Sequence, residues 1–461
     1  MGGGPGGLTA AQTLAMQGQR VAVLNDGPLM GYGIDGAFKS KSGFEISRQL
    51  AYSSLRSDVF GRVERLPYKA IARGIEACAE GLTATLAHRL DVLGVEMVAA
   101  RAKFVDDHTL EAEEERYRAD HIVIATGSKP RLLPGLVPDG RTVLTSDDIS
   151  GLEELPSLLI LGAGVIGCEF ASIFRELDTE VTLIDSQSRI LPSEDEDLSE
   201  FLTRAFKRVG IEVIHEARFD KMVREPDGIR THLSNGQEVK TDAILLSVGR
   251  TPCSENLGLE AAGVEIDERG YIPTDLDMVT NVSHIFAVGD VGHRNTPVDL
   301  ALVHVAQAEG RRAAYKILGR PSSQNMDHVP YIIFTIPMIA GAGLNEDTAR
   351  ERHGAIRVGK YPYGRNHRAH AMQPPLGFVK LIVAPEGDDR ILGVRVVGRE
   401  ADALVSTASI MIDRQLPYTY LIDSILPHPS LMECLKGAAN IVAGNALAYE
   451  QGEEFSYSDL L

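Results

Sequence analysis

The chain has 461 residues, a formal net charge of −18, 44% hydrophobic and 6% aromatic residues, and no tryptophan. This length points to two to four domains rather than one core. The acidic balance offers no basic stripe to displace phosphate counterions, which disfavours nucleic acid as a partner.

In chain order, the sequence opens on "GGGPGGLTAAQTLAMQGQRVAVLND". Gly2, Gly4 and Gly7 have the G-x-G-x-x-G spacing of a dinucleotide-binding turn, followed by a helix and a strand. The strand that normally precedes such a turn is missing, so the true start is expected about ten residues upstream. Asn25, followed by Asp26, stands where such units place an acid for the ribose, and it binds a hydroxyl more weakly than a carboxylate. No charged segment followed by an apolar block marks a secretory signal.

An amphipathic helical region is expected at 66–95, followed by a small β region ending in "ADHIVIATGSKPR". At 158–185, "LLILGAGVIGCEFASIFRELDTEVTLID" repeats the first unit and completes it. A buried parallel strand leads into Gly162, Gly164 and Gly167, then a helix, a second strand and Asp185. A carboxylate there accepts ribose hydrogen bonds and repels a 2′-phosphate, favouring NAD over NADP, with Arg189 nearby weakening that preference. Another buried strand, "TDAILLSVGRTP", ends at a glycine turn, and "TNVSHIFAVGDV" follows at 280–291. From about 326 the texture changes. "GFVKLIV" and "RILGVRVVG" alternate as antiparallel strands do, and "ADALVSTASIMIDRQL" reads as an amphipathic helix.

Acidic stretches such as "EAEEER", "SEDEDLSE" and "EQGEEF" read as solvated surface. Cys78, Cys168, Cys253 and Cys434 form no CxxC pair and no metal spacing. Free thiols in a reducing, cytoplasmic compartment and no metal are expected. No run of about 18 apolar residues predicts a membrane span.

Five motifs in order, GGGPGG at 2–7, ATGSKP at 125–130, GAGVIG at 162–167, AVGD at 287–290 and HPSLME at 428–433, make the chain resemble the FAD-dependent pyridine nucleotide-disulfide oxidoreductases. The resemblance implies an α/β fold with two Rossmann-like, three-layer ββα nucleotide-binding domains and a C-terminal α+β dimerisation domain. The implied division is 1–150 with 275–325 for FAD, 151–274 for NAD and 326–461 for dimerisation, giving a homodimer. It implies that Gly2, Gly4 and Gly7 cradle the FAD pyrophosphate, that Ala125, Thr126 and Gly127 pass against the flavin nucleotide, and that Asp290 bonds the ribityl chain. Gly162, Gly164, Gly167 and Asp185 would hold NAD(H), with Gly249 lining its path. Lys41 matches the family lysine near the flavin, and Glu169 its ion-pair partner. His428 and Glu433 match a C-terminal pair whose histidine comes from the partner subunit. That histidine is here either a proton donor to a non-thiol acceptor or a relic packed at the interface.

The departure lies at 26–45. Anchored on Ser40 and Lys41, the two cysteine positions of the disulfide reductases fall on Tyr32 and Ala37, and no cysteine precedes Cys78. Dithiol–disulfide exchange needs a thiolate. The expected function is therefore an NADH oxidoreductase passing electrons from flavin to a small non-disulfide acceptor, as a diaphorase, quinone reductase or transhydrogenase does. The alternatives are dihydrolipoamide dehydrogenase and an inactive flavin- or NADH-binding regulatory protein.

Overall fold

The computed structural model describes residues 1–55, 61, 67–148, 155–294 and 301–445. The second glycine turn sits in a five-stranded parallel sheet. Its order is Glu212–Ile214, Glu180–Ile184, Ser157–Leu161, Ala243–Leu246 and Val143–Thr145. Its central strand is buried from Leu158 to Leu161, as expected of a strand covered on both faces. Helix Val165–Glu176 follows the turn, and an antiparallel sheet of Phe219–Glu225, Gly228–Leu233 and Glu238–Thr241 supplies a third layer.

The first turn repeats this plan around helix Pro5–Ala15. Its parallel strands form two pairs, Ala22–Leu24 with Glu96–Val98 and Ile122–Ile124 with Ile285–Ala287. Met1 and Gly2 lie between the pairs: Gly2 N donates to Leu24 O at 2.8 Å, and Ala125 N donates to Met1 O at 2.7 Å. The second unit makes the same bonds at Gly162 N to Ile184 O, 2.8 Å, and Ser247 N to Leu161 O, 2.9 Å. Met1 thus holds the place of Leu161, the last residue of the other unit's central strand. Helix Tyr68–Val92 falls inside the expected 66–95 region.

The last part of the chain builds a five-stranded antiparallel sheet in the order Tyr331–Ile333, Ile339–Gly343, Ile391–Gly398, Gly377–Val383, Arg357–Pro362. Alternating "GFVKLIV" and "RILGVRVVG" suggest strands with one wet face. Every residue of both strands is instead buried, because helices Ala401–Asp413 and Met432–Val442 pack against the sheet and its charged residues meet the second nucleotide-binding unit. Lys380 and Arg395, opposite one another in register, are 1% and 5% exposed and point at the stretch "SEDEDLSE". That stretch is therefore not solvated surface. Glu194 bonds Arg395 Nε at 3.1 Å, and Asp195 and Asp197 each lie 2.7 Å from Lys380 Nζ. "EAEEER" is largely exposed, as expected, and "EQGEEF" lies outside the described residues. No helix among the described residues is long and apolar enough to cross a membrane.

Helix Val303–Ile317 crosses helix Pro5–Ala15 at a glycine pair. A Cβ on Gly310 would stand 2.9 Å from the carbonyl carbon of Gly6 and closer to its oxygen. Gly310→Ala must separate the helices, so we expect a loss of about 1–3 kcal/mol, as overpacked cores show. Chemical denaturation checks this, and an unchanged midpoint would refute the close crossing.

Candidate functional site

A cleft of about 920 Å³ runs from the first glycine turn to the C-terminal sheet, within the size range of cofactor sites. Gly2, Gly4, Asn25, Lys41 and Glu169 line it, as do Ala125, Thr126, Gly127 and Asp290. At its head, Gly2 has φ +99°, and a Cβ there would stand 2.7 Å from the carbonyl carbon of Ala125, so only glycine lets the turn close. Gly4 caps helix Pro5–Ala15 with no side-chain partner. The first-turn N–H groups and the positive end of the helix dipole are thus presented to an anion. Gly7 does not line the cleft. A Cβ on it would meet Gly2 O and, at 2.9 Å, the Ala125 methyl, so its task is close packing of helix on turn. A long, apolar-bodied cleft that starts at a pyrophosphate-type turn fits FAD.

Lys41 rises from helix Lys39–Leu55, and its Nζ lies 2.7 Å from Glu169 Oε2. The Glu169 side chain is 5% exposed, and its second oxygen accepts from Phe334 N at 2.9 Å. The ammonium also stands 4.9 Å from the centroid of the Phe334 ring, a favourable cation–π geometry. Farther along, Asp290 Oδ2 accepts from Ser128 Oγ at 2.6 Å. Arg250 Nε donates to the same hydroxyl at 2.7 Å, and its Nη2 to Ser128 O at 2.7 Å. Gly289, at φ +70°, turns the chain before Asp290, and its N–H donates to Glu309 Oε2 at 2.6 Å. Glu309 is in turn held by Arg294, 3.1 Å away.

Tyr32 and Ala37, the positions matched to cysteines, both line this cleft. The Tyr32 ring lies 4.0 Å from the Arg250 guanidinium carbon, and ring atoms occupy the space that any side chain at Gly36 would need. Burial pushes the Tyr32 phenol up, with Arg250 and a hydrogen bond to Ser146 opposing it. Cys253 is the one thiol among the cleft-lining residues, and burial raises its pKa. All four cysteines are free.

At the second turn, Val165 and Ile166 line this cleft, while its three glycines lie outside the lining. Gly162 has φ +101°, Gly164 caps helix Val165–Glu176 without a side-chain partner, and a Cβ on Gly167 would meet the carbonyl of Gly162. Asp185 Oδ2 accepts from Ala163 N at 2.6 Å and its Oδ1 from Gln187 N at 2.8 Å. A carboxylate with two acceptor oxygens retains lone pairs for ribose hydroxyls. Arg189 is turned away, donating to Pro192 O at 3.0 Å. Gly249, φ +106°, precedes strand Arg250–Pro252 and accepts from Arg131 N at 3.0 Å. These groups suit the pyrophosphate and ribose of NAD(H).

His428 and Glu433 are elsewhere, on the C-terminal sheet's helical cover. His428 Nδ1 is 2.9 Å from Glu433 Oε1, and Ser430 N donates to Glu433 Oε2 at 2.9 Å. The imidazole is 58% exposed and 5.3 Å from the ring of His367. Within one chain the pair joins neither nucleotide site.

Sequence reasoning missed Ser128, Arg250, Glu309 and Phe334. Arg250 directly follows Gly249 and Ser128 directly follows Gly127, so the two glycine turns marked their neighbourhood but not their contact. Glu169→Ala would strand the Phe334 N–H and unpair Lys41. Because Lys41 is 33% exposed, the expected loss is discounted from the buried-pair range to about 2 kcal/mol. Denaturant titration against the parent chain measures it, and a neutral substitution would show that Glu169 joins nothing.

Residues 1–310 match the family described as pyridine nucleotide-disulphide oxidoreductase, and residues 329–439 match its dimerisation domain. The chain is 32% identical over 446 residues to a dihydrolipoyl dehydrogenase of Chlamydia trachomatis, covering 94% of each. It is 33% identical over 463 residues to one of Bacillus subtilis, covering 97% of this chain and 98% of that one. Among solved structures, LpdA from Mycobacterium tuberculosis superposes with TM-score 0.89 at 27% identity, covering 96% and 98% of the two chains. The HOCl-induced flavoprotein disulfide reductase RclA from Escherichia coli does so with TM-score 0.85 at 26% identity over the same shares. By these matches and its two dinucleotide turns, the chain belongs to the pyridine nucleotide-disulphide oxidoreductase family, as a flavin-dependent NAD(P)H oxidoreductase with FAD and NAD(H) as cofactors.

Proposed function

We propose that this enzyme oxidises NADH and passes the two electrons to a small-molecule acceptor that is not a disulfide. The balance is NADH plus a proton and an oxidised acceptor, giving NAD⁺ and the two-electron-reduced acceptor. The observation that carries this reading is the pair Tyr32 and Ala37 in the cleft beside Lys41, with no cysteine before Cys78. FAD, when bound, supplies the relay between nicotinamide and acceptor.

The residues that would hold FAD are Gly2, Gly4 and the first turn of helix Pro5–Ala15 for its pyrophosphate, Asn25 for a ribose, Ala125 to Gly127 along its length and Asp290 for its polyol. Gly162, Gly164 and Asp185 would hold NADH, with Gly249 on its path. Lys41, fixed by Glu169, would place a cation where negative charge grows during electron transfer. The acidic Asp185 would set a preference for NADH over NADPH. The domains proposed are 1–150 with 275–325, 151–274 and 326–461. The last would join two copies, and His428, oriented by Glu433, would deliver a proton to the acceptor across that contact. The four free cysteines suit a cytoplasmic setting.

A second reading is dihydrolipoyl dehydrogenase, and the names of the relatives favour it. It requires a thiol relay at residues that here carry a phenol and a methyl group. A third reading, an inactive cofactor-binding regulator, is weakened by the intact Lys41–Glu169 pair.

Anaerobic addition of NADH to the flavin-loaded protein separates the three. Bleaching of the flavin absorbance with no turnover of lipoamide or glutathione disulfide is the expected result. Lipoamide turnover would establish the second reading, and bound flavin that NADH leaves oxidised would establish the third. Lys41→Ala is expected to slow bleaching by about 10²-fold, in line with loss of one preorganised electrostatic contact, while the Kd for NADH stays within a factor of two or so. A change confined to binding would remove Lys41 from the chemistry.

A further inference from the structure

The acidic loop that meets the C-terminal sheet is also the loop that braces the second glycine turn. Leu191 N donates to Ala163 O at 2.9 Å, inside the turn itself, and Glu194 N donates to Leu191 O at 2.9 Å. From the next residues the loop is anchored to the C-terminal sheet. Lys380 Nζ, fully buried, lies 2.7 Å from Asp195 Oδ2, 2.7 Å from Asp197 Oδ1 and 2.8 Å from Glu346 Oε1. Asp195 Oδ1 accepts from Glu346 N at 2.8 Å, Lys360 Nζ lies 2.8 Å from Asp197 Oδ2, and Arg395 holds Glu194. Ligand oxygens of Asp195, Asp197 and Glu346 all fall within 4.8 Å of one another. Such a trio of carboxylates needs a central cation, and the ammonium provides it.

We propose that Lys380 is a positioning residue for NADH: it is the built-in cation of a three-carboxylate site, and through residues 191–195 it fixes the backbone of the Gly162–Gly167 turn. The inference rests on the assignment of that turn to NADH. It assigns the C-terminal sheet a task besides joining subunits. The strand pair carrying Lys380 and Arg395 holds the dinucleotide turn from below, over 183 residues of sequence between Lys380 and Asp197.

The test uses the flavin-loaded enzyme with Lys380→Met, which keeps the side chain's bulk and removes its charge. Loss of the brace displaces the turn, and because an ångström-scale misplacement costs up to about 10²-fold, the Kd for NADH should rise on the order of tenfold with flavin content unchanged. Three clustered carboxylates are oxygen ligands for a hard cation. Millimolar Ca²⁺ should therefore raise the thermal midpoint of the variant and return its Kd toward the parent value, while leaving the parent protein's midpoint unmoved. A variant that binds NADH like the parent would overturn the proposal, since a merely structural lysine would lower the midpoint, and let Ca²⁺ restore it, with no change in the Kd for NADH. Should Lys380→Met fail to fold without Ca²⁺, the double variant Lys380→Met with Asp197→Asn relieves one charge. Parent-like NADH affinity in that folded variant would equally overturn it. The Ca²⁺-dependent thermal shift needs no turnover, so it reads the brace even if the parent enzyme proves unable to reduce its flavin with NADH.

Discussion

The carboxylate of Glu169 is the contact around which the site is assembled. It is buried, and a buried charge is tolerated only when it is paired and hydrogen-bonded. Both oxygens are used, one by Lys41 and the other by the Phe334 N–H. Those partners come from helix Lys39–Leu55 and from the chain just after strand Tyr331–Ile333, while Glu169 itself lies two residues past Gly167. One turn later Ser172 Oγ accepts from Ile336 N at 3.1 Å, and Ser47 Oγ donates to Ile173 O at 3.2 Å. Phe44 and Phe334 meet edge to face at 5.2 Å beside them. Helix Val165–Glu176 is therefore a spine: its N-terminus presents the second glycine turn, and its buried face holds the lysine and the C-terminal sheet at fixed distances from that turn.

The two glycine turns are built alike, and their difference is chemical. Each places a polar side chain at the end of the second strand, and each side chain takes the N–H of the turn's middle residue: Asn25 Oδ1 from Gly3 N at 2.8 Å, Asp185 Oδ2 from Ala163 N at 2.6 Å. Two residues on, the pattern inverts. Asn25 donates its amide N–H to Gly27 O at 2.5 Å, whereas Asp185 accepts from Gln187 N. An amide has one acceptor oxygen with two lone pairs, while a carboxylate has two such oxygens. The acidic turn thus keeps more acceptor capacity for a ribose diol than the amide turn does, and this supports the proposed reading of the second turn as the pyridine nucleotide site.

Local chemistry was legible in the sequence and tertiary complement was not. Gly2, Gly162 and Gly289 declare themselves because each needs a positive φ or a close approach that a side chain would block. Parallel strands show as apolar runs because both faces are covered. By contrast, Ser128, Arg250 and Asp290 form one hydrogen-bonded chain across separations of 122 and 162 residues, and nothing near any of them announces the others. "SEDEDLSE" misleads for the same reason. Four acids in a row look solvated until Lys380 and Arg395, nearly 200 residues later, are set against them. The alternation within those strands misleads too, since its charged positions face a second unit rather than water.

The proposed reading without a thiol relay has an electrostatic side as well as a compositional one. A dithiol relay works through a thiolate, so it needs a pKa lowered by a cation or a helix N-terminus in a partly open setting. The resolved shifts in this chain run the other way. Cys168, fully buried with its Sγ 3.3 Å from Ala163 O, is pushed well up by burial, as is Cys434, to about 12. Cys253 is raised by burial despite Lys129, Arg250 and Arg101 nearby. Arg250, the cation nearest Tyr32, is engaged by Ser128 and the Tyr32 ring. Tyr32 brings to the cleft a phenol whose pKa burial raises, and Gly36 beside it leaves room for that ring. The cleft is thus organised around positioned charge and an aromatic wall, and this supports the proposed acceptor, one that takes its electrons without a sulfur intermediary.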